Sequence, residues 1–336
     1  VSDRAPDNSY YWTRLGYIAP VRGLTSLLGP WAGFGVWRVV LVLRVVGSLY
    51  AIVRLASTRQ LAVIVALFAS LNTVVRSITL NLNVYQSLFL RYLFGMVVML
   101  PLLRHGVAEV IPRNVKGQFW RGGVHTVGLM FWFTALPHIG LADMTALGFT
   151  GPIFIMLGAA WFLKERMRAD RWLAAILGFG GVLIIVAPKL GGSDGLYTLI
   201  MLASSPLFAA SFLITKALTQ TEKPTVIVLW QALTVSLFAL PLALYFWQAP
   251  TLLQWVGFAV AGLFGSFGHY CMTQAFKATD ISATQSLRFL DLIWSSLLGW
   301  WVFADLPSPA TVLGAVVIAS STLWIARRES RRARLT

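Results

Sequence analysis

The chain has 336 residues, 57% of them hydrophobic and only 12% charged, with a mean hydropathy of +0.74. A soluble monomer with that ratio would expose more apolar surface than water tolerates, so a water-soluble globule is excluded. The net charge of +15 does not point to nucleic acid, because the basic residues sit in short segments between apolar runs, and the single cysteine, Cys271, excludes a disulfide framework.

In chain order, residues 1–59 come first and stand apart. Segment 36–56 is apolar but carries Arg38, Arg44 and Arg54, which do not share one helical face. Each arginine would cost about 2.5–3.5 kcal/mol at a bilayer centre, so this segment is not a span. It reads as an interfacial or disordered extension, without the small-residue cleavage site of a secretory leader. Ten spans are predicted after it, at 60–80, 84–103, 117–136, 141–163, 171–188, 195–217, 225–246, 252–276, 281–303 and 308–327. They have the length a bilayer helix requires. Run length and the lack of period-two alternation exclude strands. Connections such as Asn81-Leu82-Asn83 and Pro137-His138 leave no room for a soluble domain.

Orientation follows from lysine and arginine. With residue 59 in the cytoplasm, the connections after even-numbered spans and the tail 328–336 carry the basic residues, among them Arg113, Lys116, Arg121, Arg166, Lys277 and Arg332. The outer connections carry only Lys189. Both termini are therefore expected in the cytoplasm, in a multi-pass protein of a plasma membrane, a bacterial inner membrane by expectation.

The spans also repeat. Residues 60–188 (spans 1–5) and 195–327 (spans 6–10) align without a gap at an offset of 140 residues. Leu67-Phe68-Ala69 returns as Leu207-Phe208-Ala209, and Leu100-Pro101-Leu102 as Leu240-Pro241-Leu242. Gly122, Gly128, Phe149 and Trp161 match Gly262, Gly268, Phe289 and Trp301, and Arg76 falls on Lys216. An odd number of spans per copy inverts the second copy in the membrane. The fold class expected is all-α and polytopic: ten transmembrane helices as two inverted five-helix repeats, the arrangement of alternating-access carriers.

The run from Ala135 through Leu136-Pro137-His138-Ile139-Gly140 into Leu141-Ala142-Asp143-Met144-Thr145-Ala146-Leu147 continues as Phe149-Thr150-Gly151-Pro152 and ends at Leu163-Lys164-Glu165-Arg166. It resembles the first repeat of EamA-type transporters in the drug/metabolite transporter superfamily. Thr273 through Trp300 is similar to that family's closing repeat. The resemblance covers residues 60–327 and implies a ten-helix carrier with a central cavity between two five-helix halves. Two positions depart from the pattern: Lys164 stands where glycine is usual, and Arg288 occupies a span position more often neutral.

Charges and polar stripes inside spans supply the candidate site. Thr284, Arg288, Asp291 and Ser295 share one face of span 9. Arg288 and Asp291 form either an internal ion pair or a cavity-facing pair for substrate or a coupling proton. Arg91, roughly 10 Å deep in span 2, either binds a substrate oxyanion, snorkels, or pairs with Asp143 or Asp291. Arg76 and its mate Lys216 read as snorkelling, with Asn72 adding polarity one turn earlier. Span 8 carries Ser266, Tyr270, Thr273 and Lys277, with His269 alongside. His125 on span 3 is either a proton relay or a satisfied donor, and Asp143 and Asp291 are the other proton-coupling candidates. Gly148, Gly151 and Pro152 interrupt span 4 and Pro206 interrupts span 6, as cavity lining and hinges or as close packing. Trp132 either stacks on a planar substrate or anchors the helix in lipid. No histidine spacing fits a metal site, and no cofactor is expected.

The leading expectation is a secondary-active carrier, not an enzyme, moving a small organic metabolite of anionic or zwitterionic, amino-acid-like character. A planar vitamin, a nucleoside-like compound and a cationic drug-like compound stay open. A membrane-embedded transferase would need clustered acids or histidines at one interface, and the 12 acidic residues are scattered. The expected partners are a small-molecule substrate and the lipid bilayer, with no nucleic acid and with a homodimer left open.

Overall fold

A computed structural model describes residues 59–101, 107–148, 150–162, 169–189, 195–278 and 289–333. The extension before residue 59 lies outside them. The described residues form helices and no strand: α1 (Arg59–Thr79), α2 (Val84–Met99), α3 (Val115–Ala135), α4 (Leu141–Gly148), α5 (Gly151–Phe162), α6 (Ala169–Val186), α7 (Gly195–Leu218), α8 (Pro224–Tyr245), α9 (Leu252–Ala278), α10 (Phe289–Phe303) and α11 (Pro309–Ala333). Helices α4 and α5 are two halves of one broken span, so the helices make ten spans.

Local chemistry sets the ends. Asn83 caps α2 by accepting from the Tyr85 N–H at 2.9 Å, and Asn114 caps α3 by accepting from the Gly117 N–H at 2.8 Å. Pro224 and Pro309 occupy first-turn positions, where a missing N–H costs nothing. Beyond α10 the chain turns through Ala304, a non-glycine residue at φ 58°. Among the described residues, Asp143–Phe162, α7, α8 and α9 are each long and apolar enough to cross a membrane; Val84–Met99, Ile176–Val186 and Pro309–Ile318 are shorter apolar stretches.

Two expectations about the elements are corrected. The helix of the last span does not stop at 327 but runs to Ala333, so most of the basic tail is helical. Its Arg328 lies 3.5 Å from Asp170 at the start of α6. Pro206 does not interrupt its span: α7 is continuous through it.

Helix pairing has twofold symmetry. Exchanging the halves turns the α1–α9 contact into α7–α3, α1–α10 into α7–α5 and α2–α9 into α8–α3, and it maps α2–α8, α6–α11 and the α4–α10 side onto themselves; all of these pairs pack. The repeated motifs meet crosswise. A Cβ at Gly128 would touch Leu207 and Phe208, and one at Gly268 would touch Leu67 and Phe68. Large apolar side chains such as Trp161, Trp172, Ile176 and Leu183 point outward, while Gln86, Gln118, Arg121, His125, Thr215, Gln231 and His269 are buried. That is the inverse of a soluble protein and suits a lipid surround.

Polar contacts join the halves at both ends of the bundle. At the end holding Asn83, the Gln86 amide donates to Gln248 O at 2.7 Å and accepts from its N–H at 2.8 Å, and His138 stacks on Tyr197 at 3.7 Å. At the opposite end, Glu222 accepts from the Asn114 N–H at 2.8 Å, and Lys223 pairs with Glu109.

Candidate functional site

The helices α2, α8 and α9 enclose a small cleft in the interior, with α3 behind it. Arg91, Tyr92 and Gly95 of α2 line it, with Val228, Gln231 and Ala232 of α8 and Gly262, Gly265, Ser266 and His269 of α9. Arg91 is buried, and its guanidinium carbon lies 4.1 Å over the Tyr92 ring, a cation–π contact. Room for that guanidinium comes from Gly265, where a Cβ would sit 2.7 Å from Arg91 Nη2. Among the described residues no hydrogen-bond acceptor meets Arg91. Ser266 donates to Gly95 O at 2.9 Å and ties α9 to α2 at the cleft floor.

Behind the cleft Arg121 is fully enclosed. It donates through Nε to Thr215 Oγ1, through Nη1 to Ile227 O at 3.1 Å, and through Nη2 to Gln231 Oε1 at 2.7 Å. One turn farther along α3, His125 Nε2 lies 3.0 Å from the Tyr92 hydroxyl. Its ring meets His269 edge-on at 5.7 Å, with Phe208 beside His125 and Phe68 beside His269. Both Nδ1 atoms, the Gln118 amide and Gln231 Nε2 are buried without a partner. A centre with unused donors and two guanidinium charges suits an acceptor-rich ligand.

The structure brings some of the predicted residues together and separates others. Arg91 and His269 line the cleft, and His125 lies directly behind it. Tyr270 faces away, accepting from Gln274 Nε2 at 2.8 Å and packing on the Met99 cluster. Trp132 packs against the main core beside Phe133, and Asn72 is half-buried on α1, outside the lining. Ser295 is buried with an unpartnered hydroxyl. Thr284 and Arg288 lie outside the described residues, as does the side chain of Asp291. Gly148 ends α4, Gly151 begins α5 and Pro152 follows it. Pro206 is exposed on α7 and so does not line the cleft.

Several side chains depart from expectation. Arg76 does not snorkel: it is buried in an ion pair with Asp305 across the halves, its guanidinium 4.5 Å from the Phe303 ring centroid. Its mate Lys216 turns inward too, donating to Phe276 O at 2.7 Å. Asp143 accepts from Thr311 Oγ1 at 2.5 Å, at the end of the bundle that holds Asp305. Arg121 is not part of a connection but of the core. The signal for it was the spacing Gln118, Arg121, His125, which puts three polar residues on one face of α3. Tyr92 and Gln231 carried no such signal, except that Gln231 is the repeat mate of Arg91. Among the described residues no cluster of three His, Cys, Asp or Glu side chains is placed to hold a metal.

Comparison with known proteins agrees with this architecture. The family model described as "EamA-like transporter family" matches twice, at residues 58–187 and 195–327. A protein named "Riboflavin transporter" from Rhizobium johnstonii is 34% identical over 80% of this chain and 89% of its own length. A protein named "S-adenosylmethionine uptake transporter" from Rickettsia bellii is 26% identical over 75% and 85%. One crystal structure superposes with a TM-score of 0.62 at 19% identity, covering 79% of this chain and 95% of that one, and so shares the fold. With its duplicated helices, apolar exterior and polar interior, the chain is a polytopic membrane transporter of small metabolites, not an enzyme, and it belongs to the EamA-like transporter family.

Proposed function

We propose that the chain is a secondary carrier working by alternating access, and that its substrate is a planar metabolite with an acceptor-rich edge, of the flavin type. The observation that carries this reading is Arg91: a buried guanidinium beside an aromatic ring, facing a cleft between the two halves with no protein acceptor among the described residues. Guanidinium matches paired oxygens in bidentate fashion, and the neighbouring Tyr92 offers a flat face. The relative named a riboflavin transporter supports this substrate class.

A second reading has its own observation. Arg91, Arg121, His125 and His269 cluster without a carboxylate among the described side chains around them. That environment favours an anionic or zwitterionic metabolite. Purified protein in proteoliposomes separates the two. Saturable uptake of riboflavin with counterflow, not competed by small carboxylates, supports the planar reading. Uptake of a carboxylate or amino-acid-like compound in place of riboflavin supports the second. Flux that neither saturates nor shows counterflow rejects a carrier altogether.

A further inference from the structure

Arg91 and Gln231 are repeat mates at the offset of 140 residues, and both line the cleft, one from each half. We infer that they form a two-donor grip across the twofold axis, and that Arg121 is the positioning residue that fixes the Gln231 amide for it. This rests on the metabolite-carrier reading above and specifies how the ligand is held.

A guanidinium has donors only, so the end of the Gln231 amide that meets Arg121 Nη2 at 2.7 Å has to be its oxygen. The amide orientation therefore follows from chemistry. Arg121 itself has no freedom to swing away: Thr215 Oγ1 and Ile227 O hold its other nitrogens, and the residue is buried. With Oε1 taken, the Gln231 NH2 group is the end left over. It is buried without a protein partner, on a side chain that forms the cleft wall. Arg91 on the opposite helix is likewise free of protein acceptors among the described residues.

The repeat explains why one half needs a helper and the other does not. The mates of Arg121 and His125 are Ala261 and Gly265. On the α9 side these small residues leave space that the Arg91 guanidinium fills, its Nη2 lying against Gly265. On the α3 side the shorter Gln231 is met by the long Arg121. Each half thus delivers N–H donors to the same level, by a direct arginine in one case and by a locked amide in the other. A ligand that fits presents two acceptor positions, such as the dione edge of a flavin or the two oxygens of a carboxylate. A donor-rich edge placed against Arg91 and Gln231 meets their N–H groups and is disfavoured there.

The test measures equilibrium binding of riboflavin, S-adenosylmethionine and succinate to purified full-length protein, alongside thermal unfolding. Gln231→Glu keeps an oxygen toward Arg121 but replaces the donor with an acceptor; we expect binding of the preferred probe to weaken about tenfold or more with no loss of melting temperature. Arg121→Gln frees the Gln231 amide to turn over and should weaken binding about threefold to tenfold, whereas Arg121→Lys, a donor-only replacement, should lose distinctly less. If Gln231→Glu binds as the unmodified chain does, or if the two Arg121 variants weaken binding equally, the grip is wrong and Arg121 is structural. If the unmodified chain binds none of the three probes, the substrate reading of the preceding subsection fails, and this inference falls with it.

Discussion

In the proposed site Arg91 is the residue on which ligand contact would turn, and its chemistry is specific enough to test alone. A lysine at that position keeps the charge but loses the planar fork and the stacking on Tyr92. Arg91→Lys should therefore weaken ligand binding by about tenfold or more, roughly 1.4 kcal/mol, in an equilibrium titration. Unchanged binding would remove Arg91 from the site. A second residue-scale prediction concerns Arg76 and Asp305. Asp305→Asn leaves a buried guanidinium without its counter-charge, and a loss of about 1–3 kcal/mol is expected, moderated because the Asp305 side chain is 29% exposed. The double variant Arg76→Gln with Asp305→Asn should recover part of that loss in thermal unfolding; a double variant as unstable as the sum of the singles shows no coupling. At this scale the sequence was only partly readable. Arg91, His125 and His269 stood out as polar residues inside apolar runs. Arg121 did not, because a basic residue near a span's start counts as an orienting charge until the helix end is known. Asp305 had no local signal at all: its partner is 229 positions away.

Helix crossings are the next level, and at the α2–α9 crossing beside the cleft backbone meets backbone. A Cβ at Gly262 would lie 2.7 Å from Gly95 N and from the Phe94 carbonyl carbon, atoms of backbone that cannot rotate away. Gly262→Ala should separate the two helices and cost about 1–3 kcal/mol, read as a lower melting temperature in detergent. Gly180→Ala is the matched control, since nothing lies within 4 Å of its Cβ position. If both substitutions are equally harmless, the crossing is looser than the geometry states. Span number and periodicity were readable in the sequence because bilayer length and the repeat both constrain them. Breaks were harder. Two glycines and a proline within residues 148–152 end α4 and restart the helix at α5, whereas Pro206 alone leaves α7 continuous. A single proline removes one hydrogen bond, the one Leu202 O would accept, and the helix continues around it.

At the scale of the whole molecule, the twofold exchange of helix contacts makes topology a sharp prediction. From the lysine and arginine distribution the Asn83 end of the bundle is expected outside and the end of α11 in the cytoplasm. Cysteines introduced at Asn83 and Gln248 should react with an impermeant thiol reagent from outside, and one at Ser330 should not; the reverse pattern would turn the molecule over. The duplication itself was readable from residue matches alone, since Gly128 and Gly268 recur in register and each packs on the other half's Leu-Phe pair. What the matches did not show is where the copies have diverged. Arg91 has Gln231 as its mate, Arg121 has Ala261 and His125 has Gly265, while Gly122 and Gly128 keep glycine mates at 262 and 268. In a perfect duplicate, rocking one way or the other would give shapes of equal energy related by the twofold axis. Here both guanidiniums at the cleft, Arg91 and Arg121, belong to the first copy, so the two shapes would be inequivalent and a difference of even about 1.4 kcal/mol would set a tenfold resting preference. On the proposed mechanism the unloaded carrier is therefore expected to wait with one side of the membrane favoured, a built-in polarity that belongs to the protein before any gradient acts on it.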